Sequence, residues 1–156
     1  MSSDESVRRH VMGTTGDHHG RPTAARMVDL SKTEALRLLA GVTWGRVVFS
    51  LHALPAVRPV NHILDDRHII IRAHPGAAIL RPAGTGKVVA YEADQLDETD
   101  HTGWSVIVTG TATLVRDPDQ LARYELLLHP WTDGAMEHVV RISPHIVTGH
   151  RLTREP

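Results

Sequence analysis

The sequence predicts a mainly β fold, an antiparallel barrel with peripheral helices. Extended runs rich in β-branched residues dominate the chain of 156 residues, and hairpin turns join most of them. Strands and helices do not alternate along the chain, which argues against a doubly wound parallel sheet. The length suffices for one hydrophobic core, so we expect a single domain over residues 28–153. The polar residues 1–27 before it are predicted to form a flexible leader.

The first predicted element is a short amphipathic helix that begins after Ser31. Ser31 and Glu34 have the spacing of a capping box, in which the two residues cap each other's backbone N–H groups. Apolar residues follow at helical spacing, and Gly41 marks the predicted end of the helix. The β-branched run Gly45–Leu51 then predicts the first strand.

A β-hairpin is predicted next, with arms at Ala56–Leu64 and Arg67–Arg72. The acidic residues Asp65 and Asp66 lie between these two arms, and such residues between β-branched runs are typical of a turn. If the turn consists of these two residues, the last residue of the first arm faces the first residue of the second. This pairing fixes the register of the whole hairpin.

The predicted register brings polar side chains to one face of the hairpin. Asn61 would face Ile70, Pro59 would face Arg72, and directly opposed residues share a face of the sheet. An amide, a guanidinium and an imidazole on rigid strands are suited to an anion or a polar ring. A solvated polar face explains the same pattern, and both interpretations stay open. The residues gathered on this face are Asn61, Arg72 and His74.

The segment after the hairpin is predicted to be a loop with one or two helical turns. Pro75 suits the first helical position, and Pro82 is expected to end the segment. Lys87–Ala93 is rich in β-branched residues and is a predicted strand. The acidic and polar stretch Asp94–Gly103 is predicted to be a loop.

Trp104–Val115 gives the clearest strand pattern, because apolar and polar residues alternate along it with period two. Gly110 within this run indicates a bend of the kind that barrel strands need. The last predicted strands are His138–Ile142 and Ile146–Leu152, and the loop before them carries Trp131.

A second helix is predicted between these strands, from Asp117 onward. Asp117 would cap the helix, Pro118 would occupy its first position, and Gln120 would close a capping box. Its predicted buried stripe consists of Leu121, Tyr124 and Leu128.

The composition argues against several classes of function. The formal net charge of −1 and the 4% of aromatic residues do not favour a nucleic-acid partner. No apolar run is long enough to cross a bilayer, so no membrane partner is expected. The chain has no cysteine, which excludes thiolate nucleophiles and fits a cytoplasmic location. Its 12 histidines show no HExxH or HxH spacing, so no metal site is expected.

Several motifs together resemble the pyridoxamine 5′-phosphate oxidase-like flavoproteins, in particular the actinobacterial branch of the FMN-binding split β-barrel family. In chain order these motifs are GRVVFS, LPAVRPVNHIL, HIIIRA, VVAYEAD, TGWSVIVTGTATLV, HPW and VVRISPHIVTGHRL. The resemblance runs from about Val28 to Leu152. It implies a six-stranded antiparallel split β-barrel, a homodimer with FMN in a groove between the subunits, and an FMN-dependent oxidoreductase that acts on a small molecule.

The resemblance also implies which residues contact the cofactor. One strand would line it, Arg72 would reach its phosphate from the next strand, and a tryptophan would come from the partner subunit. The residues implied on the first strand are Arg58, Pro59, Val60, Asn61 and His62, and the tryptophan would be Trp104 or Trp131.

One segment departs from the family pattern. After the HIIIR strand the family usually has a threonine or serine and then a lysine that bind the phosphate, whereas residues 73–79 read AHPGAAI. His74 is the only polar side chain there, and each lost charge-assisted contact costs roughly 1.5–3 kcal/mol. Two functions therefore stay open: an FMN-dependent oxidoreductase, or a non-enzymatic dimer that binds a flavin, a deazaflavin, heme or a small metabolite.

Overall fold

Six strands of the computed structural model close into an antiparallel barrel. The structure describes residues 24–74, 77–129 and 138–154. The order around the barrel is β2, β3, β4, β7, β6 and β5, and β5 pairs back with β2, so the predicted fold class is confirmed. The strands are β1 (Arg26–Asp29), β2 (Trp44–Leu51), β3 (Leu54–Asp65), β4 (His68–Ala73), β5 (Val88–Asp97), β6 (Thr102–Leu114), β7 (His138–Ile142) and β8 (Ile146–Thr153), and the helices are α1 (Lys32–Ala40), α2 (Leu80–Gly84) and α3 (Pro118–Leu127).

The barrel is split because β6 has two successive partners along one edge. Its first half pairs with β8 and its second half pairs with β7. The change of partner occurs at Gly110, where a Cβ atom would overlap the carbonyl oxygen of Ser143 in the β7–β8 connection. The N–H of Ser143 donates to the carbonyl oxygen of Thr111 at 3.0 Å. Gly110 therefore permits the close crossing of two backbones that forms this corner.

The β3–β4 hairpin forms as predicted, but its turn lies one residue later in the chain. Asp66 and Arg67 are the turn residues, and both have positive φ, as a two-residue hairpin turn of this type requires. Asp65 therefore belongs to β3, and the predicted register, with Asn61 opposite Ile70, is wrong by two positions. A shift of two positions leaves every side chain on its predicted face, because side chains alternate with period two.

The two longer helices begin where their capping residues predict. The Oγ atom of Ser31 accepts a hydrogen bond from the N–H of Glu34 at 3.2 Å. Asp117 caps α3 through the N–H two residues later, at 3.3 Å. The predicted capping box at Gln120 is wrong, because its Oε1 atom accepts from Nη2 of Arg141 at 2.9 Å instead. A charged donor on the neighbouring strand has replaced the local one.

The stretch Asp94–Gly103, predicted to be a loop, is mostly a two-stranded ribbon. β5 continues to Asp97 and β6 begins at Thr102, so the turn between them is short. The Oδ1 atom of Asp97 closes this turn by accepting the N–H groups of Thr99 and Asp100 at 2.9 and 2.8 Å. The polar composition therefore reflects an exposed ribbon and not an irregular segment.

Two short elements differ from the prediction: α2 continues beyond the predicted helical turns, and β1 was not predicted. Pro82 lies inside α2 instead of ending the segment, within the first helical turn, where its missing N–H removes no intrahelical bond. Pro75 lies outside the described residues. β1 begins at Arg26, inside the predicted leader, and pairs with β8. Among the described residues, no helix has the length and apolar character needed to cross a bilayer.

The outer side of the barrel is divided into two halves. Over β3, β4 and β7 it is covered by α3, and we call this half the covered face. The half formed by β2, β5, β6, β8 and the start of β3 has outward apolar side chains in solvent, because α1 and α2 pack against the inner core. We call it the bare face. The covered face buries Ile70, Val115, Tyr124, Leu128 and Val139, whereas the bare face exposes Val57, Val88, Ile107 and Ile146 by 44–63%.

Candidate functional site

Asn61 and Arg72 meet on the outer side of the barrel, at the end of α3. The Nδ2 atom of Asn61 donates to the carbonyl oxygen of His129 at 2.7 Å. The Nη1 atom of Arg72 donates to the carbonyl oxygen of Leu128 at 2.8 Å. Adjacent carbonyl groups of one segment therefore bind both side chains, which confirms the prediction that Asn61 and Arg72 share a face of the hairpin.

This arrangement follows from the alternation of side chains along the hairpin. Asn61, Ile63 and Asp65 of β3 point outward. Arg72 and Ile70 of β4 point the same way. Ile63 and Ile70 pack against the apolar cluster beneath α3, so the helix lies directly on the hairpin. These two isoleucines set the distance between the hairpin and α3. The polar side chains on either side of them can therefore reach the helix.

Only part of the predicted strand Arg58–His62 shares this outward face. Pro59 points outward and is exposed at the edge of the bare face, opposite Arg46 of β2. Arg58 and Val60 lie on the other side of the strand because of the alternation. Arg58 is exposed and donates to the carbonyl of the preceding residue at 2.9 Å, and Val60 packs against the inner core. These two side chains do not lie beside Asn61.

His62 is buried inside the barrel, with 1% of its surface exposed. Its Nε2 atom lies 2.9 Å from the carbonyl oxygen of Leu39, and its Nδ1 atom lies 2.5 Å from the hydroxyl of Tyr91. A carbonyl oxygen can only accept, so Nε2 carries the proton and Nδ1 accepts from Tyr91. Burial lowers the pKa of His62 and raises the pKa of Tyr91, which favours both neutral forms. The structure therefore places His62 in a hydrogen-bond chain of the core, away from the outer surface.

The other predicted contacts are dispersed. Trp104 is 5% exposed and belongs to the inner core, the ordinary position of an isolated tryptophan. His74 follows β4 directly and is exposed. Trp131 lies outside the described residues. Within the part of the chain that the structure describes, no group of three His, Asp or Glu side chains is placed to hold a metal ion.

A charged cluster on the covered face was missed by sequence reasoning. The Oδ2 atom of Asp65 accepts from the Tyr124 hydroxyl at 2.5 Å, and its Oδ1 atom accepts from Nη2 of Arg123 at 2.7 Å. The bond from Tyr124 is the main reason why the pKa of Asp65 is lowered, against the opposing effect of burial, and Arg123 and Arg141 lower it further. Burial and the bond to Asp65 raise the pKa of Tyr124. A protonated phenol therefore faces an ionised carboxylate at neutral pH.

A charged cluster also lies on the bare face. The Nη1 atom of Arg46 lies 2.8 Å from Oε2 of Glu92 and 3.6 Å from Oδ2 of Asp94. Burial raises the pKa of Glu92, and its hydrogen bond with Asp94 raises it further. Two carboxyl groups thus share one guanidinium among apolar neighbours.

A closed barrel whose sixth strand changes partner at one corner defines a split β-barrel protein. The chain belongs to the pyridoxamine 5′-phosphate oxidase family, whose sequence model matches residues 31–151. It is 52% identical over 145 residues to the uncharacterized protein Rv0080 of Mycobacterium tuberculosis, an alignment that covers 90% of this chain and 95% of that protein.

Solved structures with the same fold include two proteins that are named for FAD binding. The FAD binding protein of Mycobacterium smegmatis is 31% identical, with a TM-score of 0.63 over 81% of this chain and 98% of that one. A FAD-binding protein of Mesorhizobium loti has a TM-score of 0.66 over 83% of this chain and 99% of that one. Its identity is 20%, so this second likeness shows the fold alone.

Proposed function

We propose that this chain binds a flavin and acts as a flavin-dependent oxidoreductase on a small molecule. The observation that carries the proposal is the outward pair Asn61 and Arg72, which the end of α3 holds side by side. Membership of the family and the similarity to the FAD binding protein of M. smegmatis support a flavin as the ligand class.

The chemistry of this pair fits a flavin nucleotide. A guanidinium matches a phosphate group in charge and in geometry, and a carboxamide can both donate to and accept from the polar edge of a ring. A bound flavin supplies electron or hydride transfer, while the protein binds it, orients it and excludes water. In this proposal Arg72 is the charged donor for the phosphate, and Asn61 orients the part of the ligand beside it.

FMN and FAD are both compatible with the proposal. The family resemblance implies FMN, whereas the M. smegmatis relative is named for FAD. Residues 73–79 read AHPGAAI and lack the hydroxyl and the lysine that the family usually has after this strand, and each lost charge-assisted contact weakens phosphate binding by roughly 1.5–3 kcal/mol. The second phosphate and the adenosine of FAD would add contacts elsewhere, so we propose FAD as the alternative cofactor.

We further propose that the chain is a homodimer joined through the bare face. Exposed apolar side chains that are grouped on one face of a protein often mark a contact with another protein. Residues 54–61 of β3 pair with β2 only, so Pro59 and Asn61 lie at the rim of this face. A second copy seated on the bare face would add a wall beside Asn61 and Arg72, and the cofactor would lie in the cleft between the two subunits.

A non-enzymatic carrier is the second candidate function. Its supporting observation is the segment that begins at the end of β4, where Ala73 and Ile79 are 5% and 4% exposed and Ala77 and Ala78 pack against the inner core. This segment contributes apolar side chains to the interior where the family has phosphate contacts. A ligand held mainly by shape and apolar contact, such as a deazaflavin, heme or a small metabolite, suits such a site.

The absorption spectrum of the freshly purified protein separates these proposals. A yellow protein that releases FMN or FAD on denaturation, together with reduction and reoxidation of the bound flavin by a substrate pair, supports the oxidoreductase. A flavin that binds without any turnover supports the carrier, and a red protein with a Soret band selects heme. A colourless protein that takes up neither FMN nor FAD overturns the flavin proposal.

Substitution of Arg72 tests the site within that proposal. Arg72→Ala removes the charged donor, so flavin affinity is expected to fall roughly tenfold to a hundredfold. Arg58→Ala is the matched control, because Arg58 lies on the opposite side of β3 and donates to the carbonyl oxygen of Val57. Equal losses in the two variants would contradict the assigned site.

A further inference from the structure

Helix α3 is bound to the β3–β4 hairpin at two separate places. Near the hairpin turn, Asp65 accepts from Tyr124 and Arg123. At the far end of the helix, the carbonyl groups of Leu128 and His129 accept from Arg72 and Asn61. The apolar cluster of the covered face fills the space between these two places.

We propose that Asp65 and Tyr124 are positioning residues for the phosphate of the bound flavin. They fix α3 on the hairpin, and the carbonyl groups at the end of α3 then fix the direction of the Arg72 guanidinium and the Asn61 amide. This inference rests on the proposed flavin site. It assigns a binding role to two residues that touch no ligand themselves.

The connection between the two places is short and rigid. Tyr124 and Leu128 are each 1% exposed, so both side chains are locked by packing. The N–H of Leu128 donates to the carbonyl oxygen of Tyr124 at 2.9 Å, which links them by a helical hydrogen bond. A change in the position of Tyr124 is therefore transmitted along one turn to the carbonyl group that accepts from Arg72.

The end of a helix is suited to this role. Leu128 is the C-cap residue of α3 and has an extended backbone, so its carbonyl group and that of His129 lie beyond the helical hydrogen bonds and are left for side-chain donors. A guanidinium that donates to such a carbonyl has one direction fixed, and a binding site gains affinity when its donors are already oriented before the ligand arrives.

The bond between Asp65 and Tyr124 is a strong one for this purpose. A phenol that donates to an ionised carboxylate forms a charge-assisted hydrogen bond. Arg123 and Arg141 lie on the same cluster, and Arg141 also binds Gln120 of α3. Two cations around one carboxylate keep Asp65 ionised, so the bond persists at neutral pH.

The test compares two ligands that differ only in the phosphate. Affinities for FMN and riboflavin are measured by fluorescence quenching for the wild type, Tyr124→Phe and Asp65→Asn. The ratio of the two affinities isolates the phosphate contact. We expect this ratio to fall roughly threefold to tenfold in both variants, while riboflavin affinity stays unchanged.

Tyr91→Phe is the matched control, because it removes the same hydroxyl group from a buried tyrosine of the inner core. It is expected to change stability without changing the FMN to riboflavin ratio. If Tyr124→Phe does not fold, Asp65→Asn and Arg123→Ala test the same cluster, because each removes a side chain that binds α3 to the hairpin.

The outcomes separate the inference from the proposed function. A wild type that binds no flavin removes the proposed function and the inference with it. A wild type that binds FMN no better than riboflavin overturns the inference alone, since no phosphate contact then exists to be positioned. The same holds if the variants lose affinity for both ligands equally, or if Tyr91→Phe lowers the ratio as much as Tyr124→Phe.

Discussion

The covered face and the bare face are two halves of one barrel, and both direct apolar side chains outward. On the covered face Ile70 is 0% exposed and Leu128 is 1% exposed, because α3 and the hairpin bury each other. On the bare face Ile107 is 44% exposed and Ile146 is 61% exposed. The same kind of residue is thus core in one half and surface in the other, and the difference is whether another element of the described part of the chain packs over it.

Asn61 and Arg72 lie at the boundary between these two halves. One wall of the candidate site is made by α3, which belongs to the same chain. The other side opens onto the bare face, at the strand edge where β3 has β2 as its neighbour. In the proposed dimer the second subunit would form the other wall. The complete site would then lie between α3 of one subunit and the bare face of its partner.

The largest effect is expected from a cavity under the covered face. Leu128→Ala should lower the free energy of unfolding by roughly 2–5 kcal/mol, because it removes a fully buried side chain. Urea denaturation measures this cost, and it should not depend on protein concentration. Ile107→Ala on the bare face is the comparison, and its cost should change with protein concentration if a second copy covers that face. A cost of Ile107→Ala that is the same at all concentrations would argue that the bare face stays in solvent.

A charge placed on the bare face tests its proposed cover directly. Ile107→Glu should raise the dissociation constant of the dimer roughly a hundredfold, because a further carboxylate would be buried beside Glu92, which lies directly opposite on β5. Light scattering over a concentration series measures the effect. Leu126→Glu is the control, since Leu126 is 77% exposed on α3 and lies on the covered half. A dimer that is dissociated by Leu126→Glu and left intact by Ile107→Glu would place the interface on the covered half instead.

The core that lies under both faces should respond to pH through His62. Burial lowers the pKa of His62 below its ordinary value near 6.5, so the unfolded chain binds more protons than the folded chain below that pH. Stability is therefore expected to fall as pH decreases below about 6.5, until the folded-state pKa is passed. The free energy of unfolding, measured in urea between pH 8 and pH 5, gives this slope.

His62→Gln is the control for the pH dependence. A glutamine can donate to the Leu39 carbonyl and accept from the Tyr91 hydroxyl, but it does not titrate. The slope below pH 6.5 should be shallower in this variant, by up to about 1.4 kcal/mol per pH unit. Equal slopes in the two proteins would assign the acid sensitivity to other histidines.

Local patterns in the sequence predicted most of the fold. The caps at Ser31 and Asp117 each depend on residues two or three positions apart, and both were found. The period-two pattern of β6 identified its buried side, since Val106 and Val108 are 0% exposed. The stretch at 94–103 was predicted wrongly, because an exposed ribbon and a loop share the same polar composition.

The candidate site was predictable only in part. Asn61 and Arg72 share a face in any register that differs by two residues, so the error in the turn did not affect this conclusion. The carbonyl groups that bind them come from 68 and 56 residues away in the chain, and backbone acceptors leave no mark in a sequence. The bond between Asp65 and Tyr124 spans 59 residues and depends on how α3 packs. Contacts of this range follow from the closed barrel and not from local spacing.

The smallest expected effect concerns the charges within the bare face. Glu92 and Asp94 share Arg46, so the cluster holds one more carboxyl group than it has guanidinium groups. The pKa of Glu92 is raised, so its ionised form is the less favoured one in the folded protein, and the stability it contributes is lost as pH rises through that pKa. In solvent, Glu92→Gln should change the free energy of unfolding by less than about 1 kcal/mol, as is usual for exposed ion pairs.

Under the proposed second copy, the same substitution should strengthen the dimer. The excess carboxylate is the group that would be buried without a counterion, and its removal leaves Arg46 and Asp94 as a balanced pair. We expect Glu92→Gln to lower the dissociation constant roughly twofold to fivefold at pH 8, and to make it less dependent on pH than in the wild type. Sedimentation velocity at pH 6 and pH 8 measures both. If the Glu92→Gln dimer is instead weaker than the wild type at pH 8, the partner subunit supplies a cation for Glu92. The dimer interface would then hold no excess carboxylate.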